Sequence, residues 1–96
     1  MAITIETKTS FTGILSSELI NKFKDKLIIV AREKGDAFRI SLRNYYKSKT
    51  SIPKLLKKAI FGLKGYGGGH DHACGGEIYK EDFRTFVDRL EHLLEK

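Results

Sequence analysis

The sequence predicts an α/β fold, a single small domain in which a mixed β-sheet is flanked by helices. Three runs predict it. Phe38 to Arg43 alternates strictly, with Phe38, Ile40 and Leu42 on one face and Arg39, Ser41 and Arg43 on the other; this is the period of a half-buried strand. Leu27 to Ala31 is a short, continuous, β-branched apolar run, as in a strand covered on both faces. Phe83, Phe86, Val87, Leu90, Leu93 and Leu94 recur at the spacing of one helix face.

The remaining elements fall between these. Ala2 to Thr7 alternates Ile3 and Ile5 with Thr4 and Glu6 and predicts a first strand. Gly13 marks a turn, and Ser16 or Ser17 caps a short helix carrying Leu19, Ile20 and Phe23. Gly35-Asp36 predicts a tight turn between two strands. After a basic loop over Lys47 to Thr50, Ser51 is placed to cap a helix with Pro53 in its first turn. Leu55, Leu56, Ala59, Ile60 and Leu63 form that helix's buried stripe, and Gly65 is its predicted stop. Gly65 to Gly76 is expected to be a glycine-rich loop, followed by a brief strand around Ile78 and a last helix from about Glu81. The expected order is β-α-β-β-α-loop-β-α.

Composition narrows the function classes. A chain of 96 residues with 41% hydrophobic and 31% charged residues has the make-up of an ordinary globular domain. Its longest uninterrupted apolar run is too short to span a bilayer, and no basic-then-apolar leader opens it. A lone cysteine, Cys74, excludes an intrachain disulfide and fits a reducing compartment, so a cytoplasmic location is expected. The net charge is +6, and no Asp or Glu occurs from Ala37 to His70. That stretch holds Arg39, Arg43, Lys47, Lys49, Lys54, Lys57, Lys58 and Lys64. One-sided basic charge fits either a polyanionic partner or a solvated lysine-rich surface.

The segment Gly67-Gly68-Gly69-His70-Asp71-His72-Ala73-Cys74-Gly75-Gly76 is the least ordinary in the chain. Consecutive backbone N–H groups in such a loop can form an anion-binding hollow, and a helical turn after His70 would add positive potential. His70 can donate to an oxyanion, while Arg39 and Arg43 offer bidentate phosphate ligands. His70, His72 and Cys74 are also zinc-binding residue types, but structural zinc usually takes four protein ligands at wider spacing. Tyr45, Tyr46 and Tyr66 flank the basic region and are able either to stack on bases or to pack at the domain edge.

The string GGGHDHACGGEI, residues 67 to 78, resembles the GGGH motif of the DHH-associated C-terminal domain of DHH-family phosphoesterases, which include the RecJ-like single-strand exonucleases. ISLRN, residues 40 to 44, is similar to the Ser-x-Arg strand of that domain, and TGILSSEL followed by LIIV fits its turn, helix and buried strand. The resemblance covers essentially residues 1–96. It implies a substrate-binding domain in which Gly67, Gly68, Gly69 and His70 contact nucleic acid or nucleotide, with Arg43 and Ser41 on phosphate; Arg39 is expected beside them from its place on the same strand face. It implies no catalysis by this chain alone. The chemistry would come from a DHH catalytic domain, in cis or in trans, bringing two divalent metals, expected to be manganese. That domain's aspartates and its DHH signature have no counterpart among these residues. The implied partner is single-stranded nucleic acid or a short oligonucleotide, with no membrane. Family members commonly carry proline and alanine where this chain has Asp71 and Cys74, and Asp71 sets an acid beside the expected anion site. The alternatives are a protein-interaction domain in a replication or repair assembly, and a tRNA-binding module like that of alanyl-tRNA synthetase.

Overall fold

The computed structural model describes residues 2–7, 22, 26–44 and 50–95. The predicted helix carrying Leu19, Ile20 and Phe23, and the loop residues 45–49, lie outside the described residues, apart from Lys22. Among the described residues the strands and longer helices follow one another as β1 (Ala2–Thr7), β2 (Leu27–Lys34), β3 (Ala37–Arg43), α1 (Ile52–Ile60), β4 (Gly65–His70), β5 (Ala73–Tyr79) and α2 (Lys80–Leu94). They form one sheet in the order β1-β2-β3-β5-β4. β1 runs parallel to β2, and the other neighbours pair antiparallel, so the sheet is mixed as expected.

The alternation of β3 decides which side is the core. Ile40 and Leu42 are buried, and Phe38 stacks on Phe83 of α2 with ring centroids 4.4 Å apart. Leu27, Ile29 and Ala31 of β2, and Cys74 and Ile78 of β5, join them beneath Ile52, Leu56 and Ala59 of α1 and Phe83, Phe86 and Leu90 of α2. Both helices therefore cover the same side of the sheet. Ile28 and Val30 point to the opposite side and are also buried, as the unbroken apolar run predicts.

The β2–β3 turn lies at Gly35, whose φ of 60° is the left-handed conformation that glycine adopts without strain. Pro53 occupies the first turn of α1, where its missing N–H is not needed. Ser51 precedes that turn, but its hydroxyl does not cap the helix; it hydrogen-bonds Asp71 Oδ1 at 3.4 Å. Gly65 is not the stop of α1. The chain leaves the helix at Phe61 and turns at Gly62, with φ 79°, and Gly65 already belongs to β4. Arg89 of α2 closes the helix end, its Nη1 donating to the carbonyls of Phe61 at 2.6 Å and Ala59 at 3.3 Å.

The largest difference from expectation is the glycine-rich segment. It is not a loop. Gly65–His70 and Ala73–Tyr79 pair as a hairpin around a turn at Asp71-His72, and no helical turn follows His70. Gly67 lies against α1, since a Cβ there would be 2.7 Å from Leu56 Cδ2. The missing side chains let the helix sit directly on the strand.

Candidate phosphate-binding face

On the side of the sheet away from α1 and α2, β3, β5 and β4 carry three cross-strand rows, which continue onto β2 at Arg32, Val30 and Ile28, the last two fully buried. Directly opposed residues of paired strands share a face. The first row is Arg39, Glu77, Tyr66; the second is Ser41, Gly75, Gly68; the third is Arg43, Ala73, His70. Each row spans two strand spacings, about 10 Å, and the first and third rows are four residues, about 13 Å, apart.

The middle row has almost no side chains. A Cβ at Gly68 would meet nothing within 4 Å, and one at Gly75 would make only an ordinary contact. The row is a bare trough between two rows that carry functional groups. In the third row the small Ala73 separates Arg43 from His70, leaving a gap into which both side chains can reach. Arg39 and His70 are exposed and Arg43 is half-buried. None of the three side chains forms a hydrogen bond or ion pair with a described residue. In the first row Glu77 is held by Lys34 at 3.7 Å, while Tyr66 stands 63% exposed. A shallow depression over the first two rows is lined by Arg39, Ser41, Tyr66, Gly75 and Gly76.

Of the expected site residues, Arg39, Ser41, Arg43, Gly68 and His70 come together on this face. Gly67 and Gly69 do not, since their alternation directs them to the helix side. The expected hollow of converging N–H groups is also absent. In an edge strand successive N–H groups alternate between the neighbour and the open edge, so the glycines shape the site by omitting side chains. Tyr66 and Gly75 join the site as residues that the sequence alone did not place on the phosphate-binding face; the period-two pattern Tyr66, Gly68, His70 was the available signal. Tyr45 and Tyr46 lie outside the described residues.

The acid beside the site is engaged elsewhere. Asp71 Oδ1 accepts from Ser51, and the Asp71 carbonyl accepts from the N–H of Ile52 at 3.1 Å. Cys74 faces the core, with its Sγ 3.4 Å from the His70 carbonyl oxygen. Burial pushes its thiol above the usual range; Asp71 adds to the rise and Arg43 opposes it. His70 and Cys74 lie on opposite faces of the sheet, so a zinc site built on them with His72 does not assemble. Among the described residues no cluster of three His, Cys, Asp or Glu side chains is placed to hold a metal ion. Arg39, Arg43 and His70, with one imidazole and no carboxylate pair, suit an anion rather than a divalent cation. No described helix is long and apolar enough to cross a membrane.

A family model described as the DHHA1 domain matches residues 2–96. Among solved structures, the C-Ala domain of Aquifex aeolicus alanyl-tRNA synthetase is similar, with a TM-score of 0.69 and 20% identity over 98% of this chain and 86% of that one. RecJ from Thermus thermophilus in complex with Mg2+ gives a TM-score of 0.73 and 20% identity, over 98% of this chain and 14% of RecJ. CDC45 from Entamoeba histolytica gives 0.66 and 12%, over 99% of this chain and 23% of that one. At these identities the likeness is one of fold, and the chain spans a small part of RecJ and CDC45. No curated protein matches the chain as a sequence.

Proposed function

The chain belongs to the DHHA1 domain family, and from that membership we propose that it is a binding module for the phosphates of single-stranded nucleic acid or a short oligonucleotide, of the kind that serves a RecJ-like phosphoesterase. The observation that carries the reading is the third row. Arg43 and His70 flank Ala73 beside a trough bare of side chains, and neither side chain is engaged by a described residue. A guanidinium and an imidazole facing a common gap suit a phosphate group, with charge-assisted hydrogen bonds from both sides. Arg39 adds a second cation on the same face, and the buried Ser41 lies between Arg39 and Arg43 along β3.

Catalysis is not assigned to this chain. In this reading a DHH catalytic domain, in cis or in trans, supplies the bond-breaking chemistry with two divalent metals, expected to be manganese. The binding face holds the strand while that domain acts. The lone thiol fits work in the cytoplasm.

The test is binding of a labelled single-stranded DNA or RNA to the full chain over a range of salt. If Arg39 and Arg43 each neutralise one phosphate, log K falls with log salt with a slope of roughly −1.4, steeper if further basic residues engage. A flat salt response, or full binding by the Arg43→Ala, His70→Ala double variant, overturns the reading. A second reading, a tRNA-contacting module, draws support from the 86% of the C-Ala chain that this chain covers. Tighter binding of folded tRNA than of single strands favours it.

A further inference from the structure

We infer that Tyr66 is a stacking platform for an unpaired nucleobase, so that the face reads a single-stranded oligonucleotide and not an isolated phosphate; this rests on the phosphate-binding reading above. The observations lie at the other end of the trough. Tyr66 is a large ring left 63% exposed on a β-strand, in the row next to the bare one. Its cross-strand partner is Glu77, and the next row on this face, at Gly68 and Gly75, offers no side chain to cover it. The depression over Arg39, Ser41, Gly75 and Gly76 has Tyr66 as its aromatic wall.

Charge sets the direction of the ligand. The first row carries the carboxylate of Glu77 between Arg39 and Tyr66, whereas the third row has uncharged Ala73 between Arg43 and His70. A phosphate is therefore favoured in the third row. In the first row Glu77 and Tyr66 suit a base or a sugar, as acceptor and stacking surface, and Arg39 is left for the adjoining phosphate. The rows are about 13 Å apart along the strands, which is too far for one phosphate to contact both. A chain with its phosphate between Arg43 and His70 extends over the trough and brings a base to Tyr66. Base–aromatic stacking tolerates any base, since each has a π-face, so little sequence preference is expected at this position.

The experiment uses the full chain and a six-nucleotide single strand in which 2-aminopurine replaces each base in turn. Wild-type binding should change the fluorescence of one position more than the others. Tyr66→Ala should remove that change and weaken binding roughly tenfold, and Tyr66→Phe should keep both. An abasic spacer at the same position should lose the same factor with the wild-type protein and nothing further with Tyr66→Ala. Tyr66 is exposed, so these variants should fold, which circular dichroism verifies. If Tyr66→Ala binds as tightly as wild type while Arg43→Ala and His70→Ala lose affinity, the stacking role is wrong and phosphate binding stands. If the wild-type chain binds no single strand, both readings fall.

Discussion

His72 donates from Nδ1 to Oδ1 of Asn44 at 2.8 Å, and Asn44 Nδ2 donates in turn to the Thr50 carbonyl at 3.0 Å. The two backbones are joined as well, with the Asn44 N–H donating to the His72 carbonyl at 3.3 Å. The end of β3, which carries Arg43, is thereby tied to the turn that follows His70. Asn44 is buried, so removing its amide strands two partners. Asn44→Ala should cost about 1–3 kcal/mol in urea unfolding. It should also weaken oligonucleotide binding, because Arg43 and His70 lose their shared anchor. His72→Ala should cost less, as that ring is only half-buried.

Gly67 and Gly68 are neighbours with opposite duties. A Cβ at Gly67 meets Leu56 of α1, so Gly67→Ala should destabilise the fold by about 1–3 kcal/mol through overpacking. A Cβ at Gly68 meets nothing, so Gly68→Ala should leave the melting temperature nearly unchanged. A larger residue, Gly68→Val, should fill the trough and weaken binding while the fold persists. Thermal melts and oligonucleotide titrations on the three variants separate the two duties.

The raised Cys74 thiol gives a pH dependence with a definite sign. In the unfolded chain the thiol ionises near pH ~8.5, while the buried thiol keeps its proton to higher pH. Above about pH 8.5 the unfolded state therefore binds fewer protons, and this group's contribution makes stability fall as pH rises. Cys74→Ala lacks that contribution. The stability difference between wild type and Cys74→Ala should shift in the variant's favour between about pH 7.5 and 9.5 in parallel urea titrations. The folded thiol should also react slowly with Ellman's reagent at about pH 7.5.

Arg43→Lys and Arg43→Ala should part company. Lysine keeps the charge but loses the planar fork. Its salt slope should match wild type at lower affinity, whereas Arg43→Ala should be shallower by about 0.7. Equal slopes for all three proteins would place the phosphate elsewhere.

The sequence disclosed some elements better than others for physical reasons. Phe38–Arg43 announced itself because one of its faces joins the apolar core and the other carries Arg39, Ser41 and Arg43, so its side chains alternate in polarity. Leu27–Ala31 was equally plain, being buried on both sides. β4 was not, because Gly65, Gly67, Gly68 and Gly69 carry no side chain to show a period, and their composition is that of a loop. Only Tyr66 and His70 mark its face. The same blankness hid the division of the glycines between the helix side and the open side, which depends on register across β5. Arg39, Ser41 and Arg43 were found as a group because they belong to the strand with the strongest pattern. The tie between Asn44 and His72 joins residues far apart in the chain and left no local signal.

The ligand should lie on the sheet face opposite α1 and α2, across Arg43 and His70. Amide and side-chain chemical shifts of isotope-labelled protein, followed through a titration with a short single-stranded oligonucleotide, test it most directly. The shifts should concentrate on Ser41, Arg43, Gly68, His70 and Gly75, with Lys57, Lys58 and Arg89 on the helices unmoved. Shifts confined to the helix side, with Arg43 and His70 unmoved, would contradict it.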